Sequence, residues 1–250
     1  MKRIERRHLK QNDLAQTLAT ARELIEPRRK QITTTVVVVV VLAVAVLGVT
    51  IVRQRTQSRG QELLADAMVA LNARVVPATS TGQNGDVPAA AQFGATGTFA
   101  TEAAKLNAAL PKLKAAADAY PDSNAGITAR YHYASALASL GRNADAIKEF
   151  DDVEKRAGRD SLYGRMARLG KADAEANSGQ VDAAITAWKE LVADPNSDLP
   201  QDAILMELAR AYAQKGNTAE AKKTFTEVVD KHPDSPYLSE ARTELDNLKG

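Results

Sequence analysis

The sequence predicts an all-α protein, with one long apolar helix near its start followed by an array of helical hairpins. Three observations carry this. Residues 32–52 are uncharged and mostly apolar without a break, and ten of the 21 are Val. Outside that run, no stretch alternates Val, Ile, Thr or Tyr in the two-residue period of a half-buried strand. Glycines recur at Gly141, Gly179 and Gly216, 38 and 37 residues apart, each between two amphipathic stretches. Self-similarity at a period of this size marks stacked helical hairpins.

At about 1.5 Å rise per residue, the apolar run matches the roughly 30 Å hydrocarbon core of a bilayer. Valine is a poor helix former in water, but in lipid the backbone must satisfy itself, so this weakness matters little. Arg28, Arg29 and Lys30 bound the run on one side, Arg53 and Arg55 on the other. Residues 1–31 hold nine Lys/Arg against four acids, a net +5; with the chain at +2, residues 32–250 carry −3. Short basic flanks stay in the cytoplasm, so the arm is expected inside and the remainder outside. Cleavage as a signal peptide is the rival reading. The Ala43-Val44-Ala45 triplet, however, lies within the apolar run, which exceeds the usual 7–15 residues, and a basic segment follows it. An uncleaved anchor is the better fit. The absence of Cys removes any disulfide evidence about compartment.

In the basic arm, residues 1–31, Leu14, Leu18, Ala21 and Ile25 share one face of a helix ended by Pro27. Such a face suits an anionic membrane surface, and a solvated arm that only fixes topology suits it equally. After the span, residues 53–76 read as a juxtamembrane helix with Leu64, Ala67, Met68 and Leu71 on one face. Residues 77–98, rich in Pro and Gly, read as a flexible loop. From residue 99 to 250 the pattern is helical, and the low aromatic content, 4%, with abundant Ala suits closely packed helices.

The last hairpin reads Leu205-x₂-Leu208-Ala209-x₂-Tyr212, Gly216, Ala221-x₃-Phe225 and Pro233. It resembles a tetratricopeptide repeat, whose pattern is W-x₂-L-G-x₂-Y, A-x₃-F and Pro, departing only at Leu205 and Ala209. The unit around Gly141 keeps Tyr133, Ala134, Leu137 and Ala146-x₃-Phe150. The unit around Gly179 keeps Ala172, Ala184-x₃-Trp188 and Pro195 but has Lys171 and Glu175 where Leu and Tyr belong. An earlier half-unit starts near Thr101, carries Ala109-x₃-Leu113, and takes residues 61–75 as its first helix. Tyr237, Leu238, Ala241, Leu245 and Leu248 form the inner face of a closing helix, needed because the last repeat otherwise leaves its apolar face wet. The resemblance implies a TPR-like right-handed superhelix of hairpins that binds peptides or partner proteins on its concave face. The layout of basic arm, single span and repeats is similar to the bacterial ancillary subunits of the Sec translocon. That places the chain in an inner membrane with its repeats in the periplasm, as an adaptor or chaperone-like partner of envelope proteins. Alternatives are a scaffold for wall or outer-membrane assembly and, with inverted topology, a cytoplasm-facing regulator.

No catalytic constellation is visible. His8, His132 and His232 are far apart, Cys is absent, and no glycine-rich phosphate loop occurs, so neither metal, cofactor nor small-molecule substrate is expected. A slightly acidic repeat region without a basic stripe disfavours nucleic acid. Asp145, Lys148, Glu149, Asp151 and Asp152, mixed in sign, read as a solvated face with a few supporting ion pairs. In repeats of this kind the first helix of each hairpin lines the concave face. This implies Tyr131, His132 and Ser135 in the first unit, Asp173 and Asn177 in the second, and Arg210 and Gln214 in the third. Tyr131, Ser135, Gly170, Ala203 and Glu207 fall where a clamp for C-terminal carboxylates would need Lys, Arg or Asn, so no such clamp is expected.

Overall fold

A computed structural model describes residues 29–76 and 98–248, which fall in two compact units, Met1–Arg55 and Thr56–Gly250. The expected arm helix, the loop at 77–97 and the last two residues lie outside the described residues.

Helix α1 runs over Arg29–Leu71. The apolar run and most of the juxtamembrane segment, expected as separate elements, therefore fall within one helix, which tolerates Thr56, Ser58 and Gly60 in its interior. In the first unit, Thr33–Ile51 is long and apolar enough to cross a membrane by length and composition, and none of it is buried. Valines and leucines from Val37 to Ile51 are 50–62% exposed, a degree of apolar exposure that water penalises and lipid does not.

In the second unit, α1 ends at Leu71, short of the expected boundary. Arg74–Val75 (β1) instead pairs in parallel with Thr98–Phe99 (β2), and the Val76 N–H donates to the Phe99 carbonyl at 2.8 Å. The two-residue bridge was not legible as strand because neither partner is long enough to show a period. Helices α2 (Glu102–Ala119), α3 (Asn124–Ser139), α4 (Asn143–Ala157), α5 (Leu162–Asn177), α6 (Val181–Ala193), α7 (Gln201–Gln214), α8 (Thr218–Lys231) and α9 (Leu238–Asn247) follow, each packed on the next.

Local chemistry sets the helix starts. The hydroxyls of Thr101, Ser123 and Ser161 accept from the backbone N–H groups of Ala104, Gly126 and Gly164 at 3.0–3.1 Å, satisfying donors that have no partner inside a helix. Hairpin turns fall at Gly141, Gly179 and Gly216, whose φ of +74°, +85° and +72° would strain any residue carrying a Cβ.

Packing follows the small-large spacing of four. Ala109 and Leu113, Ala146 and Phe150, Ala184 and Trp188, Ala221 and Phe225 are all 0–2% exposed. The alanines let helix backbones approach while the large side chains fill the resulting space. Three large apolar clusters result, beside a small one of Ala116, Ala117 and Ala129 packed against Leu64. One joins α1 to α5 through Ala67, Leu106, Leu137 and Phe150. A second joins α5 to α7 around Trp188, Leu191 and Ile204. The third joins α7 to α9 around Phe225, Met206 and Ala241. The expected face of α1 is the one that packs, since Ala67 is fully buried and Leu64, Met68 and Leu71 are partly so. Helix α9 caps the array through Ala241, with Tyr237, Leu245 and Leu248 against the third cluster.

Where the repeat pattern lapses, charge fills in. Lys171 and Glu175 stand 3.8 Å apart, and the Lys171 ammonium lies 2.7 Å from Asp151 on α4. The ion pairs expected on the α4 face are present, and three of its acids go further by bridging helices. Buried Arg130 donates to Glu149 at 2.6 Å and Asp118 at 2.8 Å and lies 3.0 Å from Asp152, tying α3 to α2 and α4. Arg156 continues the network to Asp152 and Asp122. Only Asp145 and Lys148 keep the surface role.

Candidate binding face

Every residue expected on the concave face sits on a first helix of a hairpin: Tyr131, His132 and Ser135 on α3, Asp173 and Asn177 on α5, Arg210 and Gln214 on α7. Their environments differ. Asn177 and Gln214 close their helices and are exposed; the other five are partly buried.

Tyr131 is a packing residue as much as a surface one. Its ring lies 5.9 Å from Phe150 and meets Tyr163 of α5 edge-on at 5.8 Å and His132 at 5.5 Å. Burial raises the Tyr131 hydroxyl pKa, and nearby Asp173 and Tyr163 raise it further. Burial pushes His132 down, favouring the neutral imidazole. Ser135 turns inward along its own helix, its hydroxyl donating to the Tyr131 carbonyl at 3.0 Å. Gly170 lies beneath Phe150: a Cβ there would come within 2.5 Å of the ring, so the packing leaves no room for a cationic side chain.

Asp173 is the electrostatic centre of this face. Burial, together with the negative charge of Glu207 on α7, raises its carboxyl to about 6, although the Trp188 indole N–H donates to Oδ1 at 3.1 Å. Arg210, expected to line the concave face, is held between Glu207 at 2.5 Å and Glu240 of the capping helix. Burial works against its charge, and these two carboxylates outweigh it. The face thus carries rings at the α3–α5 step and net negative charge at the α5–α7 step. Sequence reasoning missed Tyr163, Trp188 and Glu240 as parts of it. Tyr163 was legible only as an aromatic two residues past the Ser161 cap, and Glu240 reaches Arg210 across 30 residues of chain.

Because its native pKa lies above the usual carboxylate value, Asp173 favours the fold when protonated. That contribution is present below about 4 and is lost as pH rises through about 6. Asp173→Asn keeps an acceptor for Trp188 and removes the charge. The variant is expected to be about 1–2 kcal/mol more stable than wild type at pH 7.5, the gap closing as pH falls from 6 towards 4. Urea unfolding across that range measures it, and a pH-independent gap would contradict it.

Among the described residues, no group of three or more His, Cys, Asp or Glu is placed to hold a metal ion. What these residues offer is aromatic rings and negative charge.

Residues 166–236 match the tetratricopeptide repeat family model, covering the second and third hairpins and the turn into the cap. The fold is similar to crystal structures of nearly identical TPR-like repeats from a Podosopora anserina protein described as a kinesin light chain. Two of these, one a point variant, superpose with TM-scores of 0.51 at 19% identity. They cover 58% of this chain and 77% and 78% of the repeat chains. No curated protein sequence matches the chain. The repeats are TPR-like helical hairpins, an architecture that serves protein–protein interaction.

Proposed function

We propose that the chain is a non-enzymatic, membrane-anchored adaptor of the bacterial cell envelope. Residues 32–52 are its span, the basic arm lies in the cytoplasm, and the repeat array stands in the periplasm, where it receives segments of envelope or secreted proteins beside the Sec translocon. The observation that carries the adaptor role is the linkage between first helices of successive hairpins: Tyr131 of α3 meets Tyr163 of α5 at 5.8 Å, and Asp173 of α5 lies within the field of Glu207 on α7. A 21-residue uncharged run flanked by Arg and Lys supports the anchor. The Sec setting rests on the layout of arm, span and repeats alone.

Photo-crosslinking in intact membranes tests this reading. A benzophenone amino acid at exposed Asn177 or Gln214 is expected to capture proteins, whereas the same group at exposed Lys148 or Asp230 on second helices is not. Capture from the second-helix sites alone would place the partner on the opposite face. Captured cytoplasmic regulators, in place of envelope proteins, would favour the inverted topology.

A further inference from the structure

We propose that this face holds a station for a cationic side chain, a lysine ammonium or arginine guanidinium of the bound segment, with Asp173 as counterion and the Tyr131–Tyr163 pair as wall. The proposal rests on the docking face just described and names the chemistry that face reads.

Asp173 differs from its neighbours in lacking a cation. Glu175 has Lys171, Glu207 has Arg210, Asp151 has Lys171 and Asp194 has Arg165, each within 4 Å. Among the described residues, Asp173 has only the Trp188 indole, on Oδ1, and no basic group stands within ion-pair distance. A partly desolvated carboxylate without a cation runs against the rule that buried charges are paired. The charge of Glu207 acts on it with the same sign and worsens the imbalance. An anionic ligand would be repelled, and a neutral one would leave the charge uncompensated.

The rings supply the second half of the station. Tyr131 and Tyr163 meet edge-on at 5.8 Å on the helix pair α3 and α5 that also carries Asp173, whose charge raises the Tyr131 hydroxyl pKa. Aromatic rings beside a carboxylate suit a side chain with an apolar stem and a charged head, the stem lying on the rings and the head meeting the acid. Tyr131 comes from α3, Tyr163 and Asp173 from α5, and Trp188 from α6, so packing fixes the spacing.

The test uses the full chain in lipid nanodiscs with fluorescein-labelled nine-residue peptide pools. Eight positions are randomised and the central one is fixed as Arg, Lys, citrulline or Glu. The Arg and Lys pools are expected to bind at least tenfold more tightly than the citrulline and Glu pools by anisotropy. Asp173→Asn is expected to reduce the Arg pool to the citrulline level, with unchanged far-UV circular dichroism. Tyr163→Leu, which keeps an apolar wall but removes the ring, is expected to weaken the Arg pool by severalfold and the citrulline pool less. Pools that bind equally whatever their central residue, while crosslinking to first helices, would overturn the cation station and leave the docking face standing. Pools that fail to bind, or that crosslink only to second helices, would overturn both.

Discussion

Replacing Arg130 with methionine is expected to destabilise the repeat array by about 3 kcal/mol in urea unfolding. Breaking a buried ion pair from one side costs about 3–5 kcal/mol, and the lower end applies because the carboxylates left behind are partly solvated. Arg130 is 8% exposed and bonds to Glu149 and Asp118, with Asp152 beside it. Burial alone would lower its pKa, but Glu149 and Asp118 more than offset this and hold the guanidinium charged. Removal leaves three acids facing one another between α2 and α4. Acid sensitivity should change too. The Lys114 bond, and after it the Arg130 bond, holds Asp118 below the usual carboxylate range, so its share of stability is present near neutral pH and lost as pH falls through that depressed value. The variant should lose less stability on acidification than wild type. A change under 0.5 kcal/mol with unaltered acid response would show that the network decorates the fold without holding it.

The second large effect is expected at Phe225. Its ring is fully buried among Leu205, Met206, Ala209, Ala221 and Val228, and Ala241 of the capping helix completes the cluster. Phe225→Ala should cost about 3–5 kcal/mol, the transfer term plus the cavity left by incomplete collapse. In a linear array the loss falls first on the end of the stack, so α8 and α9 should lose hydrogen-exchange protection before α3 and α4. Asp230→Ala on the same helix, at an exposed position, should change stability by about 0.5 kcal/mol or less. Glu227, which the sequence places on the exposed face, is a poorer control because it is partly shielded and pairs with Lys231 at 2.6 Å. Equal losses from Phe225→Ala and Asp230→Ala would overturn the register of the last hairpin.

Much of the repeat fold is legible because its determinants are local. An Ala and a large apolar residue four apart on a helix share one face, and a glycine between two such helices marks the turn. Those rules place Phe150, Trp188, Phe225 and the turns at Gly141, Gly179 and Gly216 without long-range information. The polar half of the structure is different. Arg130 meets acids 12 to 22 residues away, Lys171 meets Asp151, and Trp188 meets Asp173 across a hairpin. Nothing in a one-dimensional pattern separates a charge that bridges helices from one that faces water. The expected binding residues were legible as a set of positions on first helices, but not in their roles. Arg210 was named as a first-helix position facing the groove, whereas two carboxylates hold it. Asp173 was named as one polar residue among several, and its missing cation emerges only from the surrounding geometry.

The most direct test of the proposed arrangement asks on which side of the membrane the repeats stand. Alkaline phosphatase fused after Gly250 should be active in living cells, and a fluorescent protein that matures only in the cytoplasm should stay dark at the same position. Removing residues 32–52 from the phosphatase fusion should abolish its activity, since export depends on the span. A bright fluorescent fusion paired with an inactive phosphatase would place the array in the cytoplasm and contradict the envelope adaptor.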